Sequence, residues 1–87
     1  MPRIVVTHAV KDLALWASKH AERVTIFGPF GSDLTDHVNA DGSRTVAVTV
    51  NVHDMAGLQK MLQEPKAAAL KAAHGVVEPL TIFIEKS

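Results

Sequence analysis

Two periods alternate along the chain. Ile4, Val6, His8 and Val10 recur at every second position against Val5, Thr7 and Ala9, as in a strand with one face turned to a core. From Asp12 the period lengthens. Leu13, Trp16, Ala17, His20 and Val24 fall on one helical face, Asp12 offers an N-cap oxygen, and the helix is expected to end at Arg23 or Val24, before the loop "FGPFGS". Leu34 to Asn39 reads as a short second strand, and "NADGSR" holds the Asp-Gly pair of a tight hairpin. Thr45 to Val52 alternates strictly. Asp54 then caps a second helix with Met55, Leu58, Met61 and Leu62 on one face; Pro65 restarts it, Ala67 to Ala73 continues it, and Gly75 stops it. Leu80 to Glu85 is the last strand. The order β-α-β-β-α-β, with short connections and right-handed crossovers, predicts the ferredoxin-like plan of the α+β class: a four-stranded antiparallel sheet with both helices on one face.

The strands divide into two unlike faces. Ile4, Val6, His8 and Val10, Val46, Val48, Val50 and Val52, and Leu80, Ile82 and Ile84 make one strongly apolar face, expected under the helices. The other carries Val5, Ala9, Ala47 and Phe83 among Thr7, Thr49 and Asn51, with few of the lysines and glutamates of a solvated sheet. That mixture predicts a homodimer whose two sheets face each other. The simpler reading is a monomer with a mildly apolar surface, since scattered apolar side chains are normal outside.

Composition narrows the classes. With 87 residues, residues 1–87 form one domain, which buries only about 60–65% of its unfolded surface, and pairing would add to its stability. Nine basic residues balance nine acidic ones, so no basic stripe points to nucleic acid. Cysteine is absent, which removes disulfides and thiolate chemistry. No uncharged run approaches the roughly 20 residues that span a bilayer, and "MPRIVV" enters a strand with no signal peptide, so a cytoplasmic location and no membrane partner are expected.

Three segments, "VTHAVKDLALW", "VAVTVNVHDMAGLQKMLQEPKAAALKAAHGV" and "LTIFIEK", resemble the dimeric α+β-barrel superfamily, which includes the antibiotic-biosynthesis-monooxygenase-like proteins. They look like its first strand with capped helix and Trp, its third strand with Asp-capped helix and proline break, and its closing strand. The resemblance covers most of the chain, Ile26 to Asn39 least well. It implies a dimeric barrel and a diverse range of roles: cofactor-independent oxygenases, haem-degrading enzymes, isomerases, dismutases, stress proteins and members with no assigned activity. The Asn-Trp-His set of the haem-degrading branch is not matched. His20 stands where such sequences often place a large apolar residue, and Glu64 where a small cap commonly precedes the proline.

Candidate chemistry rests on histidines and aromatic residues. The alternation places His8 under the helices, and Trp16 and His20 on the helix face above it, so the three can share a pocket. An imidazole there can act as general base toward an activated C–H or a phenol, and an indole supplies a stacking surface. The bland alternative is a hydrogen-bonded core histidine and an ordinary packing tryptophan. His37 belongs to the second strand and can line a polar pocket between facing sheets beside Thr49 and Asn51, or simply face solvent. Phe27 and Phe30 can close a lid over a ligand or anchor their loop. The five histidines show no i, i+4 pair, so no metal is expected; no flavin or nicotinamide motif is present, and no cofactor is expected. "MPRIVV" superficially resembles small tautomerases with a catalytic N-terminal proline at Pro2, but the β-α-β-β-α-β plan is not theirs. The expected function is a homodimer that binds a mostly apolar small molecule, an aromatic one included, with cofactor-independent oxygenation or proton transfer at His8 and support from His20 or His37. The alternative is a non-catalytic binding or assembly module.

Overall fold

The computed structural model describes residues 2–86. Its elements run β1 (Arg3–Val10), α1 (Leu13–Ser18), α2 (His20–Phe27), β2 (Gly31–Val38), β3 (Thr45–Val52), α3 (Met55–Gln63), α4 (Pro65–Ala73) and β4 (Val76–Ile84). The strands form one antiparallel sheet in the order β2-β3-β1-β4. This is the ferredoxin-like arrangement, with each helix of the plan divided into two.

The caps are those the sequence offers. Asp12 accepts from the Leu15 N–H at 3.1 Å, and Asp54 from the Gly57 N–H at 2.9 Å. Glu64 is extended, and Pro65 opens α4 where its missing N–H has no helical partner to lose. Gly75 takes a positive φ of 69°, and its carbonyl receives the Lys11 N–H at 2.8 Å, which ties the end of α4 to the end of β1.

The first helical segment runs on to Phe27 rather than ending at Arg23 or Val24, and three further features differ from expectation. The first helix breaks at Lys19, whose N–H donates to the Trp16 carbonyl three residues back in a tightened turn. β2 begins at Gly31 rather than Leu34, because Phe30 N–H bonds Phe27 O and the chain turns sharply into the sheet. β4 begins at Val76 rather than Leu80 and contains Pro79, which is tolerated because β4 is an edge strand.

The helix-facing side of the sheet carries the core in two groups. Ile4, Val6, Val50 and Val52 pack with Leu58, Met61 and Ala67; Val10, Val46 and Val48 pack with Trp16. Ile82 and Ile84 share that side through their pairing with Val6 and Ile4, yet both are exposed, since no helix lies over that part of β4. The expectation that they sit under helices is corrected on this point.

Candidate functional site

The candidate site lies at the seam between the two core groups. A half-enclosed cavity of about 90 Å³ runs between sheet and helices. Its walls are apolar side chains such as Val6, Val48, Phe27 and Leu80, joined by His8, Trp16, Arg23, His74 and Lys71, whose Nζ is paired with Glu78 at 2.9 Å.

Strand alternation places His8 inward, at 8% exposure. Its Nδ1 lies 2.9 Å from the Ala9 carbonyl oxygen. A carbonyl only accepts, so Nδ1 carries the proton and Nε2 keeps a free lone pair. Burial lowers the His8 pKa below the ordinary 6.5, the nearby Arg23 charge lowers it further, and the Ala9 hydrogen bond partly opposes them. His8 is therefore a neutral imidazole at pH 7 with an unoccupied basic nitrogen. The Trp16 ring stands edge-on to it, with centroids 6.3 Å apart.

Arg23 follows on α2, past the tightened turn at Lys19, and its side chain reaches back to the Trp16 ring. It is only 5% exposed. Its guanidinium stacks over the Trp16 ring at 4.2 Å, grips Asp36 with Nε and Nη2 in a fork, and donates from Nη1 to His74 Nδ1 at 3.2 Å. An arginine always donates, so His74 Nδ1 is bare and the neutral ring carries its proton on Nε2. That nitrogen is 3.3 Å from Glu22 Oε2, close but off the line of a hydrogen bond. Burial and the Arg23 charge hold the His74 pKa below 6.5, against the raising effect of Glu22.

His8, Trp16 and Phe27 thus share one cavity, but the other expected residues lie elsewhere. His20 is on the outer side of α2, largely exposed, with Nδ1 3.0 Å from Asp36 Oδ2; it braces the Arg23–Asp36 pair from outside and does not line the cavity. The tightened turn at Lys19 rotates it away. Phe30 packs against the core from the loop into β2, and its carbonyl accepts the N–H groups of His53 and Asp54. It anchors that loop rather than covering the cavity. His37 lies on the opposite face of the sheet, with Nε2 3.0 Å from Thr49 Oγ1, in a polar group where Arg3 also reaches Thr49 and Asn51 at 2.9 Å. Pro2 does not line the cavity; its carbonyl accepts the Val52 N–H and continues the sheet. Among the described residues no three His, Asp or Glu side chains converge as a metal site. No helix is long and apolar enough to cross a membrane.

Arg23, Asp36 and His74 were not anticipated as site residues. The Trp16–Arg23 spacing was readable, but a search for apolar positions passes over an arginine. The burial of His74, at the far end of α4, depends on how α2 and α4 pack and has no local signal.

The sequence matches no protein-family model and no curated protein. Solved structures do match along the whole chain. A candidate antibiotic biosynthesis monooxygenase from Bordetella bronchiseptica is 11% identical, with 99% of this chain and 95% of that one covered and a TM-score of 0.76. SnoaB, a cofactor-independent oxygenase from Streptomyces nogalater, is 15% identical, with 99% and 93% covered and a TM-score of 0.72. A candidate antibiotic biosynthesis monooxygenase from Nitrosomonas europaea is 16% identical, with 100% and 98% covered and a TM-score of 0.62. At such identities the likeness speaks for the backbone alone: this chain has the ferredoxin-like α+β fold of the antibiotic-biosynthesis-monooxygenase-like proteins.

Proposed function

We propose that this protein binds a small, mostly apolar molecule in the cavity between sheet and helices, and that His8 removes a proton from an activated C–H or phenolic O–H of that molecule. The supporting observation is the free Nε2 of a buried, neutral His8 on a mostly apolar wall. The chemistry this serves is proton transfer or cofactor-independent oxygenation; the description of SnoaB as a cofactor-independent oxygenase favours the latter. The active form is a cytoplasmic homodimer. A second copy covers the outer sheet face, where Phe83 is 57% exposed beside Val5 and the His37–Thr49–Arg3 group. His37 then becomes an interface residue.

One observation favours a second reading, a binding module without catalysis. The cavity, about 90 Å³, is smaller than an apolar cavity of about 150 Å³ that accepts benzene. Only part of a ligand fits without movement of lining side chains such as Phe27, Leu62 or Leu80.

A thermal-shift screen of aromatic and polyketide-like compounds, run on wild type and His8→Ala, tests the assignment. Ligands that stabilise wild type but respond differently to the variant support it. Identical responses to every hit remove His8 from the site. Hits that bind but never exchange or lose a proton in wild type select the non-catalytic module.

A further inference from the structure

A second, open cleft of about 450 Å³ lies where β1 gives way to Lys11 and β3 begins after Arg44, lined by Ala9, Val10, Lys11, Arg44, Thr45 and Val77. Ala9 pairs with Thr45 on one side and Val77 on the other, so these three side chains share the outer face of the sheet, away from His8. Val5, opposite Phe83, stands four residues back along β1, about 13 Å away, so the cleft is at the end of that face and is complete in one copy. Two cations meet here with no carboxylate. Lys19, Arg23, Lys66 and Lys71 each have an acidic partner within 4.0 Å, whereas Lys11 and Arg44 have none among the described residues. The carboxylates next along the chain are taken: Asp12 caps α1, Asp41 accepts the Ser43 N–H at 2.7 Å, and Glu78 pairs with Lys71. The two basic residues are also held in place. Arg44 Nη1 donates to the Lys11 carbonyl oxygen at 3.2 Å, the Val10 N–H to the Arg44 carbonyl at 2.8 Å, and the Lys11 N–H to the Gly75 carbonyl at 2.8 Å. Four of the five guanidinium N–H groups of Arg44 have no acceptor among the described residues.

We propose that this cleft binds a phosphate monoester, with the phosphate between Arg44 and Lys11 and a small apolar body on Ala9 and Val77. The planar fork of Arg44 matches two oxygens of the phosphate, and Lys11 adds a point charge. Two cations without counter-charge balance the roughly −1.5 to −2 carried by a phosphate monoester near neutral pH, whereas a carboxylate balances only one of them. Because the cleft is open, the anion keeps part of its hydration and salt screens the attraction. The cleft shares no lining residue with the His8 cavity, so occupancy of one leaves the other free.

The methyl groups of Ala9, Thr45 and Val77 report on the site in ¹H–¹³C spectra. Wild-type protein is titrated at slightly alkaline pH and low salt with phenyl phosphate, benzoate and phenol. Phenyl phosphate is expected to shift these resonances saturably, with an affinity about tenfold above that of benzoate, and phenol to leave them in place. Arg44→Lys, which keeps the charge but not the fork, and Lys11→Gln should each weaken phenyl phosphate about tenfold. Both positions are exposed, and an amide spectrum checks that the variants keep the fold. Pelleting with vesicles of phosphatidylcholine and phosphatidic acid, lost in Lys11→Gln, assigns the phosphate to a lipid headgroup; phenyl phosphate binding without pelleting assigns it to a free molecule. Equal affinity for phenyl phosphate and benzoate, or variants that bind as wild type does, overturns the proposal. So does phenyl phosphate that moves no methyl of Ala9, Thr45 or Val77, or only those of Val6 and Leu80 in the other cavity; the reading of the His8 cavity survives each of these results.

Discussion

Two buried imidazoles make the stability of this protein depend on pH. Both His8 and His74 titrate below the ordinary 6.5 in the folded chain, mainly through burial. As pH falls through 6.5 the unfolded chain takes up protons that the folded chain refuses, so stability present above 6.5 is lost on acidification and levels off below the folded values. Melting temperature should therefore fall between pH 7 and pH 5. His74→Gln, which keeps an acceptor for Arg23 but does not titrate, should flatten that slope; an unchanged slope would show that His74 titrates normally. The pair beside it gives a larger effect. Arg23→Met leaves Asp36 with only His20 beside it and removes the guanidinium from the Trp16 face, for an expected loss of about 2–3 kcal/mol in urea unfolding, less than the roughly 3–5 kcal/mol of a fully buried pair because Asp36 keeps His20 and some contact with water. Arg23→Lys should not rescue it, because an ammonium has neither the fork for the carboxylate nor the flat face for the indole. His8 was legible at this scale because strand alternation is a local rule. Arg23 was not, because a buried arginine depends on an aspartate and a histidine that arrive from β2 and the end of α4.

The strands and helices differ in how far the sequence determines them. β1 and β3 are central and β-branched, and their alternation and faces follow directly from the order of residues. The two helical segments split at places set by single interactions. The break at Lys19 carries no proline or glycine, and it displaces His20 and Val24 from the face assigned to them; the break at Glu64 is announced by Pro65. β4 runs through Pro79, a residue that argues against a central strand but not against an edge. Gly31 gives a test at this scale. It pairs with Val52 at the start of β2, and an added Cβ would collide with the Asn51 carbonyl oxygen and touch Val50 Cγ2 at 3.0 Å. Backbone cannot yield as a long side chain can, so Gly31→Ala should cost about 1–3 kcal/mol by chemical denaturation, although alanine ordinarily favours order over glycine. A neutral or stabilising result would mean that β2 starts later, at the Leu34 boundary expected from the sequence.

For the whole molecule the decisive question is what covers the outer face of the sheet. The faces themselves were readable from strand alternation, but the exposure of Ile82 and Ile84 was not, because it depends on where the helices end above β4. The result is an edge strand with bare apolar side chains on both sides: Phe83 outward, Ile82 and Ile84 toward the helix layer. Exposed apolar edges invite pairing with other chains, and a protein of this size gains from it. If a second copy supplies the cover around a two-fold axis, Phe83 contributes twice. Fully burying a phenylalanine is worth about 1.5–3 kcal/mol, and 57% of Phe83 is left to cover, so Phe83→Lys should weaken the dimer by about 2–3 kcal/mol, or roughly one to two and a half decades in dissociation constant. Sedimentation velocity across micromolar concentrations measures this. Wild type should run as a dimer and the variant as a monomer, with its secondary structure retained because Phe83 is not part of the helix-facing core. A wild-type chain that sediments as a single subunit would leave the face to solvent, return His37 to the surface, and confine any ligand at His8 to the cavity of one copy.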